Sequence, residues 1–378
     1  MDLLDIRTEI DKIDDELVEL YVKRMALSKE VGKVKAQSSK GAHDGKRESE
    51  ILYRLSKKTP DELKHYLKEL YDTVFYTSKA YQSRFLKENS QTKAKLDEIV
   101  ANGLEGFPVD ATVACQGVYG ANSGLAVQKF FEISSVTYFK TFEGVFNAVE
   151  KGLCEYGVLP IENSTAGSVL EVYDLIKKHN FYIVKSVKMQ IDHCLCSLTG
   201  NLSDIKTVVS HPQALSQCSN ALKEMGVTTE ISENTAIAAK KISELGDISM
   251  GVLCSRECAS AYGLKIVSES LQNSQKNYTR FICIAKDLRV FKGADKISVM
   301  TSLAHTPGAL HKVLARFYAF GLNLTKIESR PIEGSDFEFT FYFDFDADVT
   351  DSEVRNLIGE LENTSLKFTL LGCYKESL

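Results

Sequence analysis

Arg24 stands where an apolar residue belongs. Ile6, Ile10, Ile13, Leu17, Leu20, Leu27, Val31 and Val34 recur in alternating steps of four and three, which is the packing seam of one long helix. The position missing from that seam is an arginine. A guanidinium buried alone is strongly unfavourable, so it must meet a protein carboxylate or a bound anion. Lys35, eleven residues on, comes three turns later and only about 20° round the helix, so both cations face one groove. Arg7 lies about 42 Å along the axis from Lys35 and cannot serve the same small ligand from the same helix. Ser78 and Gln82 sit one turn apart on one face of a later helix, and Asp44, Arg47 and Glu48 share a face at the start of another. One buried polar residue would suit a coiled coil that uses it to set register. So many, with cations in excess, suit a pocket for a dianionic ligand inside a helical dimer, with Arg7 donated across to the partner's site.

A second constellation surrounds Glu162, Asn163 and Ser164. A β-rich run at 156–161 meets a polar block, then Gly167-Ser168, where the helical pattern Val169, Val172, Leu175, Ile176 begins. The reading is a strand, a polar loop and a helix start whose free amides favour an anion. Three other strand ends share it: Gly117 to Gly120 with Ser123, Ser210-His211-Pro212-Gln213 with Gln217 a turn on, and Glu233-Asn234-Thr235. Each alone is as well read as a capped helix after a buried strand. Four in one sheet predict a lined cleft for a polyanionic small molecule. His211 is the one histidine beside these loops, and packing against Pro212 accounts for it as well as catalysis does. There is no lysine or cysteine nucleophile pattern, no His-x-x-x-His and no phosphate loop, so neither metal nor cofactor is expected.

The elements that must position these residues follow from composition and periodicity. The 378 residues carry a net charge of −5 with both signs dispersed, which speaks against a nucleic-acid surface. No apolar run approaches the roughly 18 residues that cross a membrane. The opening Met1-Asp2-Leu3-Leu4-Asp5 is acidic rather than a charged leader, so the expected location is cytoplasmic. The nine cysteines lack paired metal-site spacing and read as buried free thiols.

Residues 1–90 are predicted to be all-helical: one helix of some 35 residues, a second at 46–56, and a third opened by a capping box at Thr59-Pro60-Asp61-Glu62. Ile6-Arg7, Lys23-Arg24, Glu30-Val-Gly-Lys-Val-Lys35, Asp44-x-x-Arg47-Glu48 and Ser78-x-x-x-Gln82 resemble the chorismate mutase domain at the head of bifunctional chorismate mutase–prephenate dehydratases. The resemblance implies an intertwined helical dimer in which Arg24, Arg47 and the partner's Arg7 hold the carboxylates of chorismate. Lys35 and Gln82 would bond the ether oxygen, Glu48 the ring hydroxyl, and Asp44 and Ser78 would complete the pocket. A Claisen rearrangement suits such a cast, because it needs a held conformation and stabilised charge rather than a nucleophile.

After a linker at 91–110, strands alternate with helices at 112–115, 136–140, 156–161, 182–187, 207–210, 248–254 and 281–285, the pattern of an open α/β sheet in two lobes around a cleft. Over 111–286 the chain resembles prephenate dehydratase, through Leu159-Pro-Ile-Glu-Asn-Ser164 with Ala166-Gly-Ser-Val169, Ser210-His-Pro-Gln213 and Thr279-Arg-Phe281. That reaction expels hydroxide and CO₂ from prephenate to give phenylpyruvate. The resemblance makes Thr279 the donor to the departing hydroxyl, with Glu162, Asn163, Ser210 and Gln217 positioning the substrate. Ser123, Ser164, Gly167, Ser168, His211, Gln213, Thr235, Arg280 and Phe281 would line the rest. Glu162 is expected to supply the proton, since a threonine hydroxyl is a weak acid.

Residues 295–375 read as βαββαβ, with strands at 297–303, 322–328, 337–345 and 366–372 and helices at 308–320 and 352–362. Gly308-Ala309-Leu310 and Glu328-Ser329-Arg330-Pro331 resemble the phenylalanine-binding motifs of ACT regulatory domains, which have an α+β ferredoxin-like fold. A plain dimerisation module of that fold is the alternative. The whole is thus expected to be a multidomain, bifunctional enzyme of phenylalanine biosynthesis. It would be a homodimer or higher homo-oligomer acting on chorismate and prephenate and inhibited by L-phenylalanine. The competing readings are a non-catalytic sensor of aromatic ligands and a middle domain acting on arogenate.

Overall fold

The computed structural model describes residues 2–37, 44–85, 90–273, 276–332 and 339–378. The chain divides into two compact units: Met1–Asn102 with Met300–Phe343 and Val349–Thr369, and Gly103–Val299 with Asp344–Asp348 and Leu370–Leu378.

In the first unit, α1 (Leu3–Gln37) is a single 35-residue helix, as its unbroken seam requires. Helices α2 (Gly45–Ser56), α3 (Lys64–Ser83) and α4 (Gln91–Ala101) follow. The capping box expected before α3 does not form. A 3₁₀ turn, Asp61–Leu63, precedes the helix, Pro60 holds the capping position without a side-chain bond, and the Thr59 hydroxyl donates to the Leu55 carbonyl instead. Packing of α1 on α3 is tight because Gly32 has no side chain: a Cβ there would lie 2.9 Å from the Gln82 carbonyl oxygen. Yet Ser28 and Gly32 are the only buried residues of α1, and its seam is open, with Leu20 61% and Leu27 69% exposed.

The C-terminal segment has the expected order of elements: strand Lys296–Ser302, helix Ala309–Ala319, strands Asn323–Pro331 and Phe339–Asp346, helix Ser352–Thr364 and strand Lys367–Ser377. The first two residues of the strand read at 337–345 lie outside the described residues. Two arginines join α3 to this segment. Arg84 reaches Glu353 at 2.9 Å and Glu360 at 3.4 Å, and Arg316 lies 4.8 Å from the Tyr76 ring centroid.

The second unit contains two sheets. In the first, strand Tyr156–Asn163 lies between the parallel strand Asp110–Gln116 and the antiparallel strand Tyr278–Ala285. Beyond Asp110–Gln116 comes Ile133–Phe139, and beyond Tyr278–Ala285 comes Tyr182–Gln190. The last residues of the chain extend it, Lys375–Ser377 pairing with Lys185–Val187. The final strand therefore runs past the 372 expected from its pattern. The second sheet orders Lys265–Ser268, Cys194–Ser197, Met250–Cys254, Thr207–Ser210 and Thr228–Ile231. All nine cysteines are buried and free.

Pro160 interrupts the first sheet. It has no N–H to give a ladder, and the register against Tyr278–Ala285 shifts there, Arg280 facing Glu162 while Phe281 faces Pro160. This bulge sits beside Thr279, which pairs with Asn163, and bulges commonly re-aim side chains next to active sites.

Candidate functional sites

In the helical bundle, the Arg24 guanidinium donates to the buried Ser78 hydroxyl and to the Val74 carbonyl at 3.5 Å, and lies 5.9 Å from the Phe75 ring centroid. Its partner within the chain is thus a hydroxyl on α3 rather than a carboxylate, and among the described residues no carboxylate pairs with it. Glu48 of α2 pairs with Lys79 of α3 at 2.8 Å. The Gln82 Oε1 is buried without a hydrogen-bond partner, where spare bonding capacity favours a guest. Lys35 is half-buried in the last turn of α1. Three expected residues are not drawn into this pocket by their own chain. Arg7 is exposed, Arg47 pairs along its own helix with Glu50 at 3.4 Å, and the Asp44 carboxylate caps α2 by accepting from the Arg47 amide at 3.1 Å. Asp44 is better described as a helix cap than as pocket lining. Lys79 escaped the sequence reading because it is one position off the Ser78 and Gln82 face.

In the second unit, Asn163 is the centre of the site. Its Nδ2 donates to Thr279 Oγ1 at 2.9 Å and to Asn277 Oδ1 at 2.9 Å. Its Oδ1 accepts from the amides of Thr165 and Ala166, the Thr165 hydroxyl and Gln213 Nε2. Gln217 Oε1 accepts from Asn277 Nδ2 at 3.0 Å, and Gln217 Nε2 donates to Thr165 Oγ1 at 2.9 Å. Thr279, Asn163 and Asn277 are buried. Because the Thr279 oxygen accepts from Asn163, its own proton is left to be donated. A cavity of about 730 Å³ is lined by Asn122, Lys188, Met189, Asp192, Arg256 and Tyr278 among others. It takes in the sequence neighbours of Ser123 and Thr279 but not those two residues, so hydrogen bonding rather than cavity volume locates the chemistry.

Several expectations are corrected here. Residues 162–168 are not a loop before a helix start: Glu162 and Asn163 belong to the strand, and Gly167–Ser168 folds back to pair with them. The helix Leu170–His179 then begins at Val169, which makes no side-chain cap bond. Consecutive strand residues face opposite ways, so Glu162 points away from Thr279. Its carboxylate lies 3.4 Å from Arg280, whose guanidinium also meets Asp344 at 2.7 Å and Glu376 at 3.5 Å. Burial opposes the charge on Arg280, but Asp344 and its other neighbours outweigh that and hold it firmly protonated. Arg280 is therefore bound by protein carboxylates, and Glu162 is not placed to give Thr279 a proton. Phe281 packs in the core. The fully buried Ser210 hydroxyl donates to the Leu253 carbonyl at 2.8 Å, so it ties two strands together.

The remaining loops are helix ends or turns. His211 Nδ1 accepts from the Gln213 amide at 3.2 Å as a cap, and burial lowers the ring's basicity. Asn234 caps the helix that Thr235 begins. Ser123 is buried near the start of helix Asn122–Phe130. Ser164 Oγ donates to the Lys276 carbonyl and accepts from the Tyr278 amide, tying its turn to the Thr279 strand. Two members of the site were missed. Asn277 lies just outside the Thr-Arg-Phe run, and His193, whose Nε2 is 3.2 Å from Gln217 Oε1, belongs to no strand-end loop of the recognised kind.

Comparison with known proteins agrees with this division. Residues 6–83 match the family "Chorismate mutase type II", and residues 113–289 match "Prephenate dehydratase". The bifunctional chorismate mutase/prephenate dehydratase of Escherichia coli K12 is 32% identical over 98% of this chain and 96% of its own length. Arogenate dehydratase/prephenate dehydratase 1 of Arabidopsis thaliana is 35% identical over 82% of this chain and 84% of its own. A solved prephenate dehydratase from Arthrobacter aurescens, in complex with L-Phe, is 28% identical with a TM-score of 0.64, covering 70% of this chain and 89% of that one. The chain belongs to the bifunctional chorismate mutase/prephenate dehydratase family. It is an enzyme with an isomerase domain and a lyase domain. No described helix is long and apolar enough to cross a membrane.

Proposed function

We propose that the protein rearranges chorismate to prephenate in its helical bundle and converts prephenate to phenylpyruvate in its middle domain. The observation that carries this is the coexistence of two unlike polar sites: a cation-centred pocket around Arg24, Ser78 and Gln82, and an amide network around Thr279. In the first, Arg24, Arg47 and Arg7 of the partner subunit grip the two carboxylates, Lys35 and Gln82 stabilise the breaking ether oxygen, and Glu48 binds the ring hydroxyl. In the second, Thr279 donates to the departing hydroxyl, and Asn163 and Gln217 fix its orientation. Aromatisation provides the driving force, so a modest donor held in place suffices.

The open seam of α1 supports an intertwined homodimer. Leu20, Leu27 and Val34 are too exposed for a helix of this length to stand alone, and a second copy supplies both the missing cover and Arg7. The domain limits that fit this reading are 1–90, 111–286 and 295–375, with a linker at 91–110. The last of these is an ACT regulatory domain that takes L-phenylalanine through Gly308, Ala309, Leu310 and Glu328, Ser329, Arg330, Pro331. Gly308 has the left-handed conformation, φ 77°, before helix Ala309–Ala319, and residues 328–331 end strand Asn323–Pro331. The name of the Arabidopsis relative gives one reason to try arogenate as a second substrate.

Two variants separate the activities. Arg24→Ala loses chorismate turnover by about a hundredfold or more while keeping prephenate turnover, since it removes a charge-assisted grip. Thr279→Ala does the reverse. Either variant abolishing both activities, or neither, contradicts the assignment.

A further inference from the structure

The amides around Thr279 form a closed ring of hydrogen bonds with one direction. Asn163 donates to Asn277 at 2.9 Å, Asn277 to Gln217 at 3.0 Å, Gln217 to the Thr165 hydroxyl at 2.9 Å, and that hydroxyl back to Asn163 at 2.7 Å. In such a ring each amide oxygen is an acceptor, so Gln217 Oε1 can only accept. His193 Nε2, 3.2 Å from that oxygen, must therefore carry the imidazole proton. His193 Nδ1 is then a bare lone pair, and it is buried with no hydrogen-bond partner, in a residue only 5% exposed.

Leaving a ring nitrogen unsatisfied in the interior costs stability. An apolar ring of similar size would fill the space without that cost, so space-filling does not explain a histidine. We infer that His193 is a positioning residue for the dehydratase reaction: its Nε2–H clamps the Gln217 amide, and Gln217 in turn holds Asn277 and the Thr165 hydroxyl against Asn163, which the Thr165 and Ala166 amides already orient, so that Asn163 is braced as it presents its Nδ2 to Thr279. The Thr279 oxygen is thereby made the acceptor, and its proton is aimed outward at the departing hydroxyl. Were Gln217 to flip, its NH₂ would face the NH₂ of Asn277, and the brace behind Asn163 would open at that contact. Burial lowers the basicity of His193, with the Gln217 bond opposing more weakly, which keeps the ring neutral and Nδ1 without a proton.

This inference rests on the dehydratase reading of Thr279, and its test keeps the two apart. The full-length protein is prepared as His193→Gln, His193→Asn, Thr279→Ala and the His193→Asn/Thr279→Ala double variant, and prephenate turnover is measured for each. Glutamine can place an N–H where imidazole Nε2 was, whereas asparagine reaches only as far as Nδ1. His193→Asn is expected to lose about tenfold or more in kcat through misplacement of the donor, with KM for prephenate changed less than about twofold. His193→Gln is expected to recover most of that loss. The double variant should be no slower than Thr279→Ala, because a residue acting through Thr279 has nothing left to position.

Equal impairment of the glutamine and asparagine variants overturns the inference. So does loss of prephenate binding together with turnover, or a double variant whose losses multiply. Full turnover by Thr279→Ala overturns the dehydratase reading itself, whatever the histidine variants do.

Discussion

Gly32 offers a sharp test of how the mutase site is built, because two physical arguments disagree about its replacement. Glycine inside a helix is less favourable than alanine by about 1 kcal/mol, so propensity alone predicts that Gly32→Ala stabilises α1. The packing says otherwise. An added Cβ would lie 2.9 Å from the Gln82 carbonyl oxygen, 3.3 Å from the Gln82 Cα and 3.3 Å from the Phe85 Cβ. The first two are backbone atoms of α3, so relief requires the helices to part by several tenths of an ångström. Overpacking of this kind costs about 1–3 kcal/mol, which offsets the propensity gain and leaves a net loss of roughly 1 kcal/mol. The displaced residue is Gln82 itself, with its buried, unpartnered Oε1. Chorismate turnover should therefore fall by about tenfold or more, while prephenate turnover in the same preparation stays within about twofold. Steady-state rates on each substrate, with a urea unfolding curve, check both parts. A Gly32→Ala protein that is more stable and fully active as a mutase would show that close approach of α1 to Gln82 does not build the site.

Other outcomes follow from the second unit. Glu162→Gln should keep prephenate turnover within about threefold, because its carboxylate serves Arg280 rather than Thr279; a rate drop beyond about a hundredfold would restore it as proton source. Glu376 is largely buried, and although burial raises its pKa, Lys188, Lys296 and Arg280 hold it below the ordinary glutamate value of 4.5. A depressed carboxylate stabilises the fold above that ordinary value and loses the contribution as pH falls through the folded one. Glu376→Gln should cost about 3 kcal/mol at pH 7 by stranding its cations, and the difference from wild type in urea unfolding should shrink steadily below pH 4.5. Asn277→Ala should lower prephenate kcat by about tenfold, since it breaks the bond from Asn163 as well as the one to Gln217.

What the sequence disclosed depended on how far each pattern extends. The 35 residues of α1 were legible because a seam repeated over that many turns has no other reading, and Arg24 was legible as its one violation. The four-residue strands Cys194–Ser197, Thr228–Ile231 and Lys265–Ser268 repeat too few times to stand out, whereas Thr207–Ser210, equally short, is marked by the Ser210-His211-Pro212-Gln213 stretch at its end. Thr279 and Asn163 were recognised through their motifs, but their neighbours were misassigned for a simple geometric reason. Treating 162–164 as loop discarded the alternation that sends Glu162 and Asn163 to opposite faces. Arg280 and Phe281 failed likewise: adjacent to Thr279 in sequence, they are bound to carboxylates and to the core. His193 could not be found locally, because its importance lies in Gln217, 24 residues away.

Whether one chain carries out both chemistries can be read from a single time course. Purified wild-type protein is given chorismate alone, and chorismate, prephenate and phenylpyruvate are followed together. Chorismate is expected to disappear, prephenate to rise and then fall, and phenylpyruvate to accumulate to match the chorismate consumed. Chorismate left intact, or prephenate that accumulates with no phenylpyruvate after it, would contradict the assignment of both activities to this chain.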